Sequence, residues 1–356
     1  MWASFFRSRH LIISHSETDY ATTLRGIAAL MVFFLHGNFF APFLSISQDL
    51  GFGTLQIQNL SNLGGAGPAA FFVASGFVLS LVWSKSKTAG FLKFAVRRYV
   101  RLMPLYLVIL VIFSLSDYRD GRQSIEIFSE LISRALFLEV FSYEQFSTLP
   151  MAVMWTIGVE FWLSMTIPVL VKLFSLRRYS YLVLFLSLSI SFLGPIILIK
   201  LGVNDVMAWK SVLACFASFA LGVFVSTFKP SAEANAAFKF FTIIVVLFLV
   251  MYIWSGFMGA WWVTLLMSIC FLGLNVTAAR ILPQSDFLLW LGTVCYGVYL
   301  LHIPLLQITS KLSTDYAAPL AFLLLMPLSS ISWLFVERPV ILFFNKKLKK
   351  SRRILR

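Results

Sequence analysis

The chain has 356 residues, of which 59% are hydrophobic and 12% charged, and its 29 lysines and arginines outweigh 15 acidic residues to give a net charge of +14. Apolar content that high lies far outside the range of soluble domains and points to a polytopic membrane protein. The basic residues sit in the short segments between apolar runs, where charge sets orientation, so the excess is not read as nucleic-acid binding.

Residues 1–19 mix Trp2, Phe5 and Phe6 with Arg7 and Arg9, as a cytoplasmic or interfacial anchor would. Hydropathy then predicts ten spans, at 20–42, 64–83, 99–116, 149–173, 179–200, 208–228, 238–256, 259–277, 287–309 and 317–344. With both termini cytoplasmic, most lysines and arginines fall on inside segments. Arg119, Arg122, Arg134, Lys200, Lys210 and Lys311 fall outside, which supports an even number of spans. The fold class expected is an all-α polytopic membrane protein of about ten transmembrane helices: an interfacial segment 1–19, a helical membrane domain 20–344 and a basic cytoplasmic tail 345–356.

The first span, LRGIAALMVFFLH, holds Arg25 and His36. It lacks a small-residue cleavage site and is expected to stay in the mature protein. An ionisable side chain in hydrocarbon is costly, so two in one helix mark a functional site by default. Eleven residues is close to three helical turns; the two side chains lie within about 20° of one face and roughly 16 Å apart along the axis. That places a cation near one membrane surface and a proton-transfer group deeper in. The plain alternative is a snorkelling arginine and a histidine satisfied in a bundle core.

In the second span, FFVASGFVLS puts Ser75 and Gly76 at mid-depth, after Gly64, Gly65, Gly67 and Pro68; small residues there favour close helix packing. At the cytoplasmic end of the third span, KFAVRRYVRLMPLY clusters Arg97, Arg98 and Arg101 at the expected helix start, with Pro104 in its first turn. Fork-shaped donors at a helix N-terminus suit phosphate, whereas the plain reading is positive-inside charge. The loop 117–148 gathers Asp117, Asp120, Glu126, Glu130, Glu139 and Glu144. Within it, SIEIFSELISRALFLEVF has helical spacing of apolar residues, suggesting an interfacial or capping helix.

Glu160, in MWTIGVEFW of the fourth span, is read as the only acidic residue deep in any span, with His36, Arg25 or a tyrosine as partner. The alternative is a protonated glutamate bridging two helices. Spans seven and eight are separated only by the turn around Trp254, Ser255, Gly256 and Gly259, so a re-entrant segment competes with two crossings. In the ninth span, CYGVYLLHIPLL places Tyr296 and Tyr299 on one face with His302 beyond them, as sugar-binding or bundle-holding groups. Cys215, Cys270 and Cys295 read as small core hydrophobes. No metal-type spacing appears among them.

RGIAALMVFFLH, FFVASGF, RRYVRLMPLY, WTIGVEFW, YGVYLLH and the closing VERP, in this order from about residue 20 to 340, resemble the acyltransferase-3 family of integral membrane O-acyltransferases. The resemblance implies transfer of an acyl group, usually acetyl, from cytoplasmic acyl-coenzyme A to a hydroxyl of a surface polysaccharide, a lipid-linked sugar or a small molecule. It implies that His36 is catalytic with Arg25 before it, that Arg98 and Arg101 serve the coenzyme A end with Arg97 beside them, and that Glu160 is the family glutamate. Cys295 stands where a serine is common, and WTIG replaces a tryptophan-serine-leucine string. Both departures bear on acceptor binding rather than on the charged set. Several relatives carry an extracytoplasmic hydrolase-like domain, which is not expected in a chain of this length.

Acyl transfer to an alcohol needs a base for the hydroxyl proton and donors for the oxyanion. His36, read as lying in an apolar setting, is expected to be neutral and to take that proton, with Glu160 orienting it. An acyl-histidine or a seryl carrier at Ser75 stays open beside direct transfer. The expected partners are acyl-coenzyme A as donor substrate, a glycan or lipid-linked sugar as acceptor, membrane lipid and glycan-assembly proteins. No permanently bound cofactor and no metal are expected, and the expected location is a bacterial inner membrane. The competing class is an ion-coupled transporter or flippase of a lipid-linked sugar; it accounts for the intramembrane charge but leaves the arginine cluster unexplained.

Overall fold

The computed structural model describes residues 18–37, 63–86, 90–142, 153–227, 285–313 and 316–354. Every regular element among them is helical. In chain order these are α1 (Asp19–Gly37), α2 (Gly67–Ser86), α3 (Phe91–Arg119), α4 (Ser124–Ala135), α5 (Trp155–Met165), α6 (Ile167–Ser175), α7 (Ser180–Lys200), α8 (Asp205–Trp209), α9 (Val212–Thr227), α10 (Asp286–Ser310), α11 (Ala317–Ser332) and α12 (Arg338–Ile354). Among the described residues, seven helical runs are long and apolar enough to cross a membrane, and α5 with α6 adds a broken eighth. The expected spans 238–256 and 259–277, Cys270, Glu144 and most of the N-terminal anchor lie outside the described residues.

Three boundaries differ from the hydropathy reading. Helix α3 starts at Phe91, after Gly90 at φ 79°, because its first turns are amphipathic rather than apolar and escape a hydropathy window. Arg97, Arg98 and Arg101 therefore lie in its second and third turns and Pro104 in its interior, so the helix-terminus argument for phosphate does not apply to them. The fourth span is bent by 50° at Thr166. There Pro168 has no N–H to continue the ladder onto Ser164, and the Thr166 hydroxyl turns back onto the Leu163 carbonyl at 2.7 Å. The last span runs from α11 through a π-helical turn, Trp333–Glu337, into α12, so the expected basic tail is a helix as far as Ile354. Pro339, which cannot donate to Phe335, accounts for the wider turn.

The chain divides into two compact units, one of Met1–Val78 with Ser218–Ser330 and the other of Leu79–Ala217 with Ile331–Arg356. In the first, α1 packs along α10 around Leu24, Ala28, Val32, Phe33, Leu291, Val294 and Val298, all buried. Backbone approaches tighten it further. A Cβ on Gly76 would strike the Phe219 carbonyl and one on Gly222 the Val73 carbonyl, the close packing that the small residues of the second span predict.

The second unit is centred on α3, whose Leu102, Leu105, Tyr106, Ile109 and Leu110 are buried while Val111, Ile112 and Leu115 stay exposed. Exposed aliphatic stripes of this kind suit lipid rather than water. Helix α4 forms within the predicted 117–148 loop, with Ile125, Phe128 and Ile132 along one exposed face. Its polar side is tied down by Arg122, which bonds Asp117 at 2.8 Å and Glu130 at 2.5 Å. That hydrogen bond holds the Glu130 carboxyl below its usual range. After Phe137, a buried residue at φ 58°, the short turn Leu138–Phe141 lies against α5 at Gly158, where an added Cβ would come 2.7 Å from Val140.

Candidate functional site

In the first unit, two glycines decide where chemistry-bearing side chains meet. A Cβ on Gly26 of α1 would come within 2.7 Å of the Gly292 nitrogen on α10, and one on Gly292 would strike the Thr22 carbonyl. Ten residues beyond each glycine stands a histidine. Equal offsets on two parallel helices rise equally, about 15 Å, and bring the rings level. His302 Nε2 lies 3.2 Å from His36 Nδ1, with ring centroids 5.2 Å apart.

Two backbone carbonyls assign the Nδ1 protons. His302 Nδ1 faces the Tyr299 carbonyl at 2.5 Å, and His36 Nδ1 faces the Val32 carbonyl at 3.0 Å. A carbonyl only accepts, so both Nδ1 atoms carry hydrogen. His302 Nε2 is then the acceptor for His36 Nδ1–H, and the lone pair of neutral His36 sits on Nε2. His36 itself is exposed at the last turn of α1, whereas His302 is fully buried. The sequence reading placed His36 in a desolvated setting; its ring is exposed among the described residues, which end on this side at Gly37. Arg25 is half-buried on the same helix, beyond the buried Asp19. Tyr299 packs edge-on against Phe71 at 5.5 Å and beside the His302 ring at 5.7 Å, and Tyr296 and Ser75 are buried.

In the second unit, Arg97, Arg98 and Arg101 line one cavity of about 330 Å³, walled by Phe94 of α3 and by Phe344 and Asn345 of α12. The three arginines are held differently. Arg98 is buried and pairs with Glu160 of α5 at 2.5 Å. Arg101 lies over the Trp333 ring with its guanidinium carbon 4.8 Å from the centroid. The Nε atoms of Arg97 and Arg98 are buried and meet no hydrogen-bond acceptor among the described residues. Glu160 thus belongs with Arg98, where the sequence pointed to His36, Arg25 or a tyrosine; the difference arises because α3 extends eight residues earlier than hydropathy placed it.

Besides Asp19, two further buried carboxyls escaped the sequence reading. Glu337, in the π-turn, is fully buried and accepts from the Ser332 hydroxyl at 3.1 Å, so Glu160 is not alone in the helical bundle. The closing VERP string was its signal. Glu139, within the 138–141 turn, is buried and accepts from the Tyr106 hydroxyl at 3.4 Å. Burial pushes its carboxyl up to about 7. Its position between Leu138 and Val140 in an apolar string was the available hint.

The model of the acyltransferase domain of the acyltransferase-3 type matches residues 19–337. That match spans both histidines, all three cavity arginines and Glu160. The chain belongs to the acyltransferase-3 family. As a member of that family it is a membrane acyltransferase, a multi-pass helical transferase. No curated protein and no solved structure matches it.

Proposed function

We propose that this acyltransferase moves an acyl group, acetyl in the first instance, from cytoplasmic acyl-coenzyme A to a hydroxyl of a cell-surface polysaccharide or lipid-linked sugar at a bacterial inner membrane. The observation that carries the donor half is the arginine cavity. Three guanidinium groups around one space, two of them with buried Nε–H groups lacking an acceptor among the described residues, suit an anion with several phosphate oxygens. Glu160 offsets part of that charge and holds Arg98 in place.

His36 supplies the base. Its Nε2 lone pair takes the proton of the acceptor hydroxyl as the oxygen attacks the thioester carbonyl; the new C–O bond forms, the C–S bond breaks, and the proton passes to the departing thiolate. Ester and free thiol leave, and the histidine is restored without a resident cofactor. Arg25, on the same helix, is assigned to the coenzyme arm, and Ser75, Tyr296 and Tyr299 to support of the acceptor side. Membrane lipid and glycan-assembly proteins would deliver the acceptor.

Purified protein in vesicles, given labelled acetyl-coenzyme A and a panel of lipid-linked and polymeric glycans, tests the reading. Label is expected on a glycan hydroxyl, with one free thiol released for each ester formed. Passage of lipid-linked sugar across the bilayer with no label transferred would overturn it.

A further inference from the structure

The imidazole of His302 touches the proposed base and is itself fully buried. Its Nδ1–H is committed to the Tyr299 carbonyl, which leaves Nε2 as an acceptor aimed at α1. A fully buried imidazole is costly unless both nitrogens are bonded, and here the second bond is made by His36. The close approach of α1 and α10 is already set by Gly26 and Gly292, so a leucine would fill this position for packing alone. The Val32 carbonyl holds His36 less well, since in an α-helix it also accepts the backbone N–H of residue 36 and must share.

We propose that His302 is a positioning residue for the acyl-transfer base: through Nε2 it accepts the Nδ1–H of His36, fixing the tautomer in which His36 Nε2 faces the substrate and strengthening as His36 becomes imidazolium. When His36 Nε2 takes the hydroxyl proton, the ring gains a full charge and its Nδ1–H bond to His302 becomes charge-assisted. The partner thus favours the protonated base that exists in the transition state over the neutral base that binds substrate. His302 neither gives nor takes a proton in the step.

Two measurements test this, and the inference rests on His36 being the base. The chain contains four histidines, so labelling them with nitrogen-15 gives a small set of ring signals, assigned with the His36→Ala and His302→Leu variants. A nitrogen–nitrogen coupling across the shared proton, between His36 Nδ1 and His302 Nε2, is expected in the unaltered protein. Its absence, with both rings assigned, would overturn the proposal whatever the variants do. In kinetics, His302→Leu is expected to lower kcat by roughly 10- to 100-fold, part of the ~10²–10⁴ that a general base supplies, with the KM for acyl-coenzyme A unchanged. His302→Gln, whose side-chain oxygen can occupy the Nε2 position, is expected to recover most of that loss. Equal loss in the Leu and Gln variants at equal folded abundance contradicts the positioning role. If His36→Ala is inactive while His302→Leu keeps its full kcat, the base assignment stands and this inference alone fails. If His36→Ala keeps its activity, both fail.

Discussion

The two units assemble polar groups inside apolar helices by opposite means. In the first, backbone contact comes first: Gly26 and Gly292 let α1 and α10 touch, and the two histidines meet because each lies the same distance beyond its glycine. In the second, charge comes first: α3 and α5 carry a cation and a carboxylate that are each too costly to bury alone, and Arg98 meets Glu160 for that reason. The first arrangement is therefore sensitive to a methyl group many residues from the chemistry. The second is sensitive to loss of one partner, and much less to loss of both.

The largest effect separates chemistry from architecture in the first unit. His36→Ala removes the base and not the glycine contact, so transfer is expected to fall by roughly 10²–10⁴ while folded protein in the membrane stays at its normal level. Transfer assays normalised to detergent-extracted, monodisperse protein measure this. Normal turnover in that variant would leave the histidine pair a packing feature and return the chemistry to the second unit.

Next comes the ion pair. Glu160→Gln leaves Arg98 buried without its counter-charge and is expected to destabilise the protein by about 3–5 kcal/mol, whereas the double variant Glu160→Met with Arg98→Met should recover most of that stability. Donor use should not recover with it, because the cavity has lost a phosphate-binding fork. Arg97→Ala and Arg101→Ala, which leave the pair intact, are expected to weaken acyl-coenzyme A by about ten- to a hundredfold, as loss of a charge-assisted contact of ~1.5–3 kcal/mol implies. Thermal unfolding and donor titration, run on the same preparations, separate the two effects. A double variant with full donor affinity would show that Arg98 is structural only.

What the sequence made legible follows the same division. Apolar runs, basic flanks and the small residues near Ser75 predict helices and close packing, because hydropathy and side-chain size act locally. Arg25, His36, Arg98 and Glu160 stood out as ionisable groups within helices. Which of them meet was not legible: pairing depends on register between helices far apart in sequence, and one misplaced start, at residue 99 instead of Phe91, moved the arginines to a helix terminus they do not occupy. The equal ten-residue offsets Gly26 to His36 and Gly292 to His302 were present in the sequence, but they carry meaning only once α1 and α10 are known to run parallel. Glu337 and Glu139 were missed because a carboxyl near a helix end or in a loop reads as solvated until its burial is seen.

A smaller effect tests the backbone-first arrangement. Gly292→Ala places a methyl group against the Thr22 carbonyl, forcing α1 and α10 apart at a cost of about 1–3 kcal/mol. Because the histidines lie about 15 Å further along the same two helices, their bond is expected to lengthen and turnover to fall several-fold with donor affinity unchanged. Gly65→Ala, at a glycine whose added Cβ meets nothing within 4 Å, is the matched control. If Gly292→Ala and Gly65→Ala turn over alike, the glycine contact does not set the histidine geometry.

The smallest effect concerns Glu139, a buried carboxyl of the second unit that is raised chiefly by desolvation and lacks, among the described residues, the short ion pair that Glu160 has. Its carboxyl is raised from 4.5 to about 7, first by burial and against the opposing pull of Arg134 and the Tyr106 hydroxyl. A raised acid holds its proton in the folded protein and has lost it in the unfolded chain between those two values, so the folded state binds more protons there and stability falls as pH rises through that window. Glu139→Gln keeps an oxygen to accept from Tyr106 and cannot ionise. Its Tm is expected to be flatter than that of the unaltered protein from about pH 5 to about pH 8, with the two closest at the acid end and the variant ahead at the alkaline end. Protease cleavage within the 136–142 segment should follow the same order, since ionisation of Glu139 loosens the turn that lies on Gly158. Parallel Tm curves across that range would mean that the carboxyl is ionised throughout and that the neighbouring buried Arg134 holds it as an ion pair, which would make Glu139 a charge-first site like Glu160.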